Sequence, residues 1–440
     1  MKVKAYPSNE DNKKIIFKIE IENEDNISPS SKYSLNKKEF YFKLPEGVLF
    51  EQIHPDHLAL VSLLACHPFI GKRIIFPKKV SKKFFDAHKI VTKYIIDEFD
   101  ENLVPWIPPS ESRVALAYSG GADSTAALAL LPKNTVSIFL DRPLPLLKRT
   151  LYDKDAPVNA CKKLIQNGYE VLMVESNIEY VRNPVGFPVD VANSAPAILM
   201  ASQMQFDAIS FGTIIEAAYR VGHKEFSDYI TRAHFKHWGS LFNAAGLPFL
   251  QVVAGISEVG TAIINSKSKI GIFAHSCMRG KWMKPCKNCW KCFRKLLLDS
   301  VINKKPLSET SINKLFKIKE AKINLSKFPI RHENVLAYST AKYIELYNLV
   351  PNDENLMSLL SKRVRGDIIS VNWMEKYYPP MFNLFPEKYK KHVKEKLEKY
   401  LLPMSEEEES IISNWSLKKM LNDSYYKNLN DIFIERLSKH

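Results

Sequence analysis

Residues 111–300 alternate between short apolar runs and polar breaks that contain glycine, whereas the stretches after Phe293 carry apolar residues at helical spacing. The run Val114-Ala115-Leu116-Ala117-Tyr118 is short and bounded by loop residues, so it predicts a buried strand. Residues 125–131 are rich in Ala and Leu and predict a helix, with Ser124 or Thr125 near its N-cap. Strands are expected at 136–140, ending at Asp141-Arg142, at 170–174, and at 208–211, ending in Gly212-Thr213. Residues 249–253 and 270–273 are further strand candidates. Helices are expected at 156–167, closed by Gly168, and at 194–204. This alternation predicts an α/β fold, a parallel sheet covered on both faces, with ligands at the carboxyl ends of its strands.

The flanks read differently. Residues 14–21 and 40–44 alternate as strands, and 57–64 and 82–99 read as helical. They suggest a small α+β accessory region over 1–110 that ends in the linker Pro105-Trp106-Ile107-Pro108-Pro109. Beyond a core at 111–300, residues 301–440 read as a helical, Lys-rich region, with helices at 391–402 and 417–437. The run Glu406-Glu407-Glu408-Glu409 suits a solvated helix start.

The chain has 440 residues, 45% hydrophobic and 25% charged, which excludes a disordered chain and suggests two or three domains. No apolar run spans a membrane and no secretory segment is evident, so a soluble cytoplasmic protein is expected. The net charge of +15 is spread as about +2, +7 and +6 over the three regions. Nucleic-acid binding is allowed by that charge without being argued by it; an anion such as ATP accounts for it equally well.

Between the first strand and its helix stand Ser119, Gly120, Gly121, Ala122, Asp123 and Ser124. Two glycines let the backbone turn tightly and approach an anion, and a helix start supplies free N–H groups and a positive dipole end. No Lys follows the glycines, so this is not a Walker A loop. The stretch resembles the SGGxDS signature of the PP-loop ATP pyrophosphatases. That resemblance implies a loop that holds the β,γ-pyrophosphate of ATP, cleavage between the α and β phosphates, and adenylation of a substrate oxygen.

Cys66 and Cys161 stand alone and read as buried thiols. Cys277, Cys286, Cys289 and Cys292 form C-x8-C-x2-C-x2-C, a spacing for a closed four-thiolate Zn²⁺ site, with an iron–sulfur cluster as the competitor. His275 reads as a neighbour of that site and not as a ligand.

Loop and cysteines together resemble the 7-cyano-7-deazaguanine synthase (QueC) family over roughly 111–300. The resemblance implies a doubly wound sheet of the PP-loop type and use of ATP, Mg²⁺ and Zn²⁺. It also implies activation of the carboxylate of 7-carboxy-7-deazaguanine for attack by ammonia. Ser119, Gly120, Gly121, Asp123, Ser124 and Thr125 match its ATP loop, with Asp123 and Ser124 closest to the chemistry. Asp141 and Gly212 match positions near the nucleotide. Arg182 and Asn183 match a pair near the substrate. The four cysteines match its zinc ligands.

Two stretches depart from the family. Residues 216–223 read Glu-Ala-Ala-Tyr-Arg-Val-Gly-His, and Ser257-Glu258 stands where a Lys is expected. The regions 1–110 and 301–440 also have no counterpart. A changed acid or acceptor follows, and QueC-like proteins of anti-phage operons, with a protein acceptor, fit that description. A tRNA-modifying PP-loop enzyme and a non-catalytic ATP- and zinc-binding scaffold stand as the alternatives. In the departing stretch, Arg220, His223, Lys224, His234 and His237 are either substrate-anion contacts, Arg220 first, or surface residues. Trp282 and Trp290 are expected to pack over the cysteines.

Overall fold

Eight strands make one sheet, in the order Lys2–Pro7, Lys14–Glu20, Glu39–Lys43, Glu170–Ser176, Val136–Asp141, Arg113–Ala117, Phe206–Ser210, Phe249–Leu250. They belong to a computed structural model that describes residues 1–145, 150–349 and 355–440. The last five strands are parallel. In chain order they run third, second, first, fourth, fifth, so the order reverses between Arg113–Ala117 and Phe206–Ser210. Ligands of such sheets bind in the crevice outside the carboxyl ends at that reversal. The first three strands are antiparallel and continue the same sheet through Glu39–Lys43, which pairs with Glu170–Ser176. Residues 1–110 therefore extend the core sheet.

Side chains alternate across the sheet and seed two cores. Val114, Leu116, Phe139 and Ala208 face one core, shared with the helices Ala122–Leu130, Asp155–Gln166, Glu258–Lys267 and Trp290–Ile302 and with the C-terminal helices as far as Leu437. Ala115, Ala117, Ile138 and Ile209 face the other, shared with the N-terminal strands and the helices Pro55–Cys66 and Ala195–Met204. Among the described residues no helix is long and apolar enough to cross a membrane.

Several elements differ from the sequence reading. The helix expected over 82–99 stops at Val91, because the chain then pairs as short strands, Ile95–Ile96 with Arg73–Ile74 and Phe99–Asp100 with Val80–Ser81. Residues 270–273 are no strand: Gly271–Phe273 is a tight 3₁₀ turn against the preceding helix, where a Cβ on Gly271 would lie 1.8 Å from the Asn265 carbonyl oxygen. The strand at 249 ends at Leu250, since residues 251–256 turn back on themselves. The helix expected over 417–437 breaks at Asp423, whose side chain caps Ser424–Lys439. The Glu run does begin a helix, Glu406–Ser413, with a capping box from Ser405 and Glu408.

Candidate functional site

The chain leaves Arg113–Ala117 through Tyr118 and Ser119, turns at Gly120 and enters the helix Ala122–Leu130. Gly121 is the N-cap, three to four residues before the expected position. Ser124 lies in the first turn instead, where its hydroxyl donates to Gly121 O at 3.1 Å and meets Ser119 Oγ at 3.1 Å. Gly120 has φ +73°, and a Cβ there would lie 2.9 Å from Pro157, so only glycine fits without strain. On the adjacent strand end, a Cβ on Gly212 would lie 2.8 Å from Ser124 N. Missing side chains at these two points let the turn sit tightly between neighbouring elements. The N–H groups of the first helical turn have no intrahelical acceptor and carry the positive end of the dipole.

A cavity of about 360 Å³ opens at this turn, at the reversal point of the sheet. Ser119, Gly121, Asp123, Ser124 and Gly212 line it. So do six residues not expected to converge there, or weighed only loosely: Asp190, Asn193, Tyr229, Arg232, His234 and Lys291. Asp123 Oδ1 accepts from Thr261 Oγ1 at 2.9 Å, and Ala122 O accepts from Asn265 Nδ2 at 2.8 Å, which fixes the helix start. Asn193 Oδ1 is buried with no hydrogen-bond partner among the described residues. His234 meets the Tyr229 hydroxyl at 3.3 Å, and burial holds its imidazole below the usual range. Arg232 donates to Ala217 O at 2.5 Å and to Ala218 O.

Other expected residues stand apart from this cavity. Thr125 is fully buried and meets the Tyr118 hydroxyl at 3.2 Å, so it faces the core. Asp141 accepts from Lys154 Nζ at 2.8 and 3.0 Å. Arg182 donates to Phe187 O at 3.1 Å and lies over the Tyr33 ring, while Asn183 pairs with Ser34. Arg220 adopts φ +60° and does not line the cavity. His237 leaves His234 through the wide turn Phe235–Gly239 and packs on His67 and Trp238. Cys66 and Cys161 are buried, as expected.

The four cysteines converge. Their sulfurs all lie within 4.8 Å of one another, and Cys286 and Cys292 are 3.7 Å apart. Four thiolates at ~2.3 Å from one tetrahedral ion stand about 3.8 Å apart, so the set fits a single ion; a cluster of several irons would spread its ligands wider. Backbone N–H groups of Cys286, Asn288 and Cys292 point at the sulfurs of Cys277, Cys286 and Cys289 at 3.4–3.5 Å. Such donors stabilise thiolates, and the Cys292 side chain first, then its N–H, hold the Cys289 thiol below the usual range. Trp290 stacks on Phe293 beside the knuckle, ring centroids 5.4 Å apart.

The two departing stretches meet beneath the cavity. Glu258 accepts from Arg294 and pairs with Lys295 Nζ at 3.2 Å. Glu216 accepts from Asn334 Nδ2 at 2.8 Å and from Glu258 N at 3.2 Å. All five residues are buried or nearly so. Burial, then the Glu258 charge, push the Glu216 carboxyl up to about 7. Burial would raise Glu258 as well, but Lys295 and Arg294 outweigh it and hold it below the usual carboxylate range. The stretches thus tie the knuckle helix Trp290–Ile302 and the helix Glu333–Leu346 to the core. The signals for Lys291 and this network were present as a cation between two thiols and two lone acids in apolar surroundings, but nothing local showed where they would face.

No curated protein matches the chain. Residues 237–416, which take in the cysteine knuckle and most of the helices after it but not the Ser119 loop, match a family described as a family of unknown function (DUF6395).

Proposed function

We propose that the chain is an ATP-dependent, AMP-forming ligase of the PP-loop type that activates a carboxylate for attack by an amine. The observation that carries this reading is the Ser119–Ser124 turn, set at the reversal point of the sheet with Gly120 at φ +73° and Gly212 packed on its helix start. The geometry suits a phosphate chain: a helix N-terminus opens on the cavity, and a Cβ at Gly120 or Gly212 would press on Pro157 or on Ser124 N and displace that turn. Asp123 and Asp190 are the carboxylates lining it, and they suit a divalent ion that neutralises phosphate charge. In this reading a carboxylate oxygen attacks the α-phosphorus of ATP and the bond to the bridging oxygen breaks. Pyrophosphate leaves, and the acyl adenylate forms. The amine lone pair then attacks the acyl carbon, AMP leaves, and the amine proton passes to solvent. The turn contributes positioning and fixed charge. Zinc in the four-thiolate knuckle would be structural, since no coordination position stays open.

Arg182, Asn183 and Arg220 do not gather at the cavity, which favours an acid other than 7-carboxy-7-deazaguanine, small or carried on a protein. Purified protein with Mg-ATP, a panel of carboxylic acids and ammonia tests the reading. AMP and pyrophosphate released only when an acid is present are expected. Release of ADP and phosphate, or no nucleotide consumption with any acid or cellular extract, overturns it.

A further inference from the structure

The cysteine knuckle grips the phosphate turn from two sides. Before the first cysteine, the His275 N–H donates to Gly120 O at 2.8 Å. Between the third and fourth, Lys291 lines the 360 Å³ cavity with Ser119 and Asp123. The same lysine and Ala122 also line a cavity of about 850 Å³ on the knuckle side, so Lys291 stands on the wall between the two. In between, Trp282 N–H donates to Asp155 Oδ2 at 2.7 Å and Asp153 N–H to Met278 O at 2.8 Å. These bonds seat the knuckle on the segment that opens the helix Asp155–Gln166, whose Pro157 closes on Gly120.

Lys291 differs from its neighbours in pairing. Arg294 and Lys295, one turn on, are both engaged with Glu258, and Arg279 pairs with Glu320. Lys291 has no ion-pair or hydrogen-bond partner among the described residues. An ammonium carries three donors and no acceptor, so an unpaired one at the mouth of an N–H cradle is complementary to an anion. A divalent ion with four thiolates carries a net charge of −2, which would repel a phosphate; a cation set between two of the ligands screens it.

We propose that Lys291 is a phosphate-binding residue and that the metal knuckle is the device that holds it there, for a pyrophosphate or the phosphate chain of a nucleoside triphosphate. This rests on the nucleotide reading above. With Cys289 and Cys292 on one ion, the backbone on either side of Lys291 is pinned, and the ammonium is pre-organised. The knuckle is then part of the anion site and more than a brace for the fold.

The test is calorimetric titration of the full metal-loaded chain with pyrophosphate and with Mg-ATP, alongside three variants. Lys291→Met is expected to lose tenfold or more in affinity while keeping its metal content and Tm. Lys291→Arg is expected to stay within a few fold of the native chain, and Lys284→Met, an exposed lysine of the same knuckle, to be unchanged. In Co²⁺-loaded protein, pyrophosphate is expected to shift the visible thiolate–metal absorption of the native chain and not that of Lys291→Met. Native binding with an unaltered Lys291→Met overturns the proposal alone. Binding without any shift of the native spectrum overturns the coupling to the metal. A native chain that binds neither ligand overturns the nucleotide reading and this proposal together.

Discussion

The two faces of the central sheet bury different kinds of ionisable group. On the N-terminal face four histidines are held below their usual range, beside a buried pair of the Met1 ammonium with Asp25 at 3.3 Å. His57 is fully buried against Ala245 O, and His67, His88 and His237 cluster with Tyr94 and Trp238. Burial, the first cause in each case, pushes His57 down to about 3 and His67 and His88 to about 4. On the C-terminal face Glu258 stays charged and paired with Arg294 and Lys295, while burial pushes the Glu216 and Glu333 carboxyls up to about 7. A neutral imidazole needs one hydrogen bond and good packing, whereas a buried charge needs its counter-charge. The Glu258 set beneath the Ser119–Ser124 turn therefore depends on a network of partners, and the histidine cluster on fit.

Breaking each device should show the difference. The largest effect is expected for Glu258→Ala, which leaves Arg294 and Lys295 buried without their acid; the loss is about 3–5 kcal/mol in urea unfolding. If that variant is nearly as stable as the native chain, the network is not what docks the C-terminal helices. Gly120→Ala comes next. It combines positive φ with a close approach to Pro157 and should cost roughly 2 kcal/mol, with loss of pyrophosphate binding as the sharper readout.

The pH dependence of stability separates the buried histidines from Glu216 by sign. A histidine whose folded pKa is lowered leaves the unfolded chain with more bound protons. Its contribution is complete above about pH 6.5 and is lost as pH falls towards about 4. Glu216 does the reverse. Its folded pKa is raised from 4.5 to about 7, so its contribution is complete below about pH 4.5 and is lost as pH rises through 7. Glu216→Gln keeps an oxygen for the Asn334 and Glu258 donors and should raise stability by roughly 1–3 kcal/mol at pH 8, with little change at pH 5. An unchanged slope between pH 5 and 8 would assign the titration to another group, Glu333 first, since burial also pushes its carboxyl up to about 7. The smallest effect is expected for His67→Phe. It removes a 2.6 Å bond to the Tyr94 hydroxyl, costs about 1 kcal/mol at pH 8 and flattens the acid limb below pH 6.

The sequence by itself determined whatever is local. Short apolar runs bounded by turn residues placed the five parallel strands, the Gly-Gly pair placed the tight strand-to-helix turn, and close cysteine spacing placed the knuckle. In each case the physical cause lies within about sixteen residues of chain. Cap position was blurred because Gly121, Ser124 and Thr125 all stand near the helix start, and only the hydroxyl contacts to Ser119 and Tyr118 separate them. Tertiary structure decided the rest. It joined residues 1–110 to the core sheet, since strand pairing between Phe42 and Ser176 leaves no mark in either segment. It brought Lys291, Arg232 and Asn193 to one cavity and kept Arg182, Asn183 and Asp141 out of it. It also turned Glu216 and Glu258, two isolated acids in the sequence, into the charged floor of the site, because a buried carboxylate is defined by partners that here come from helices 36 and 118 residues away.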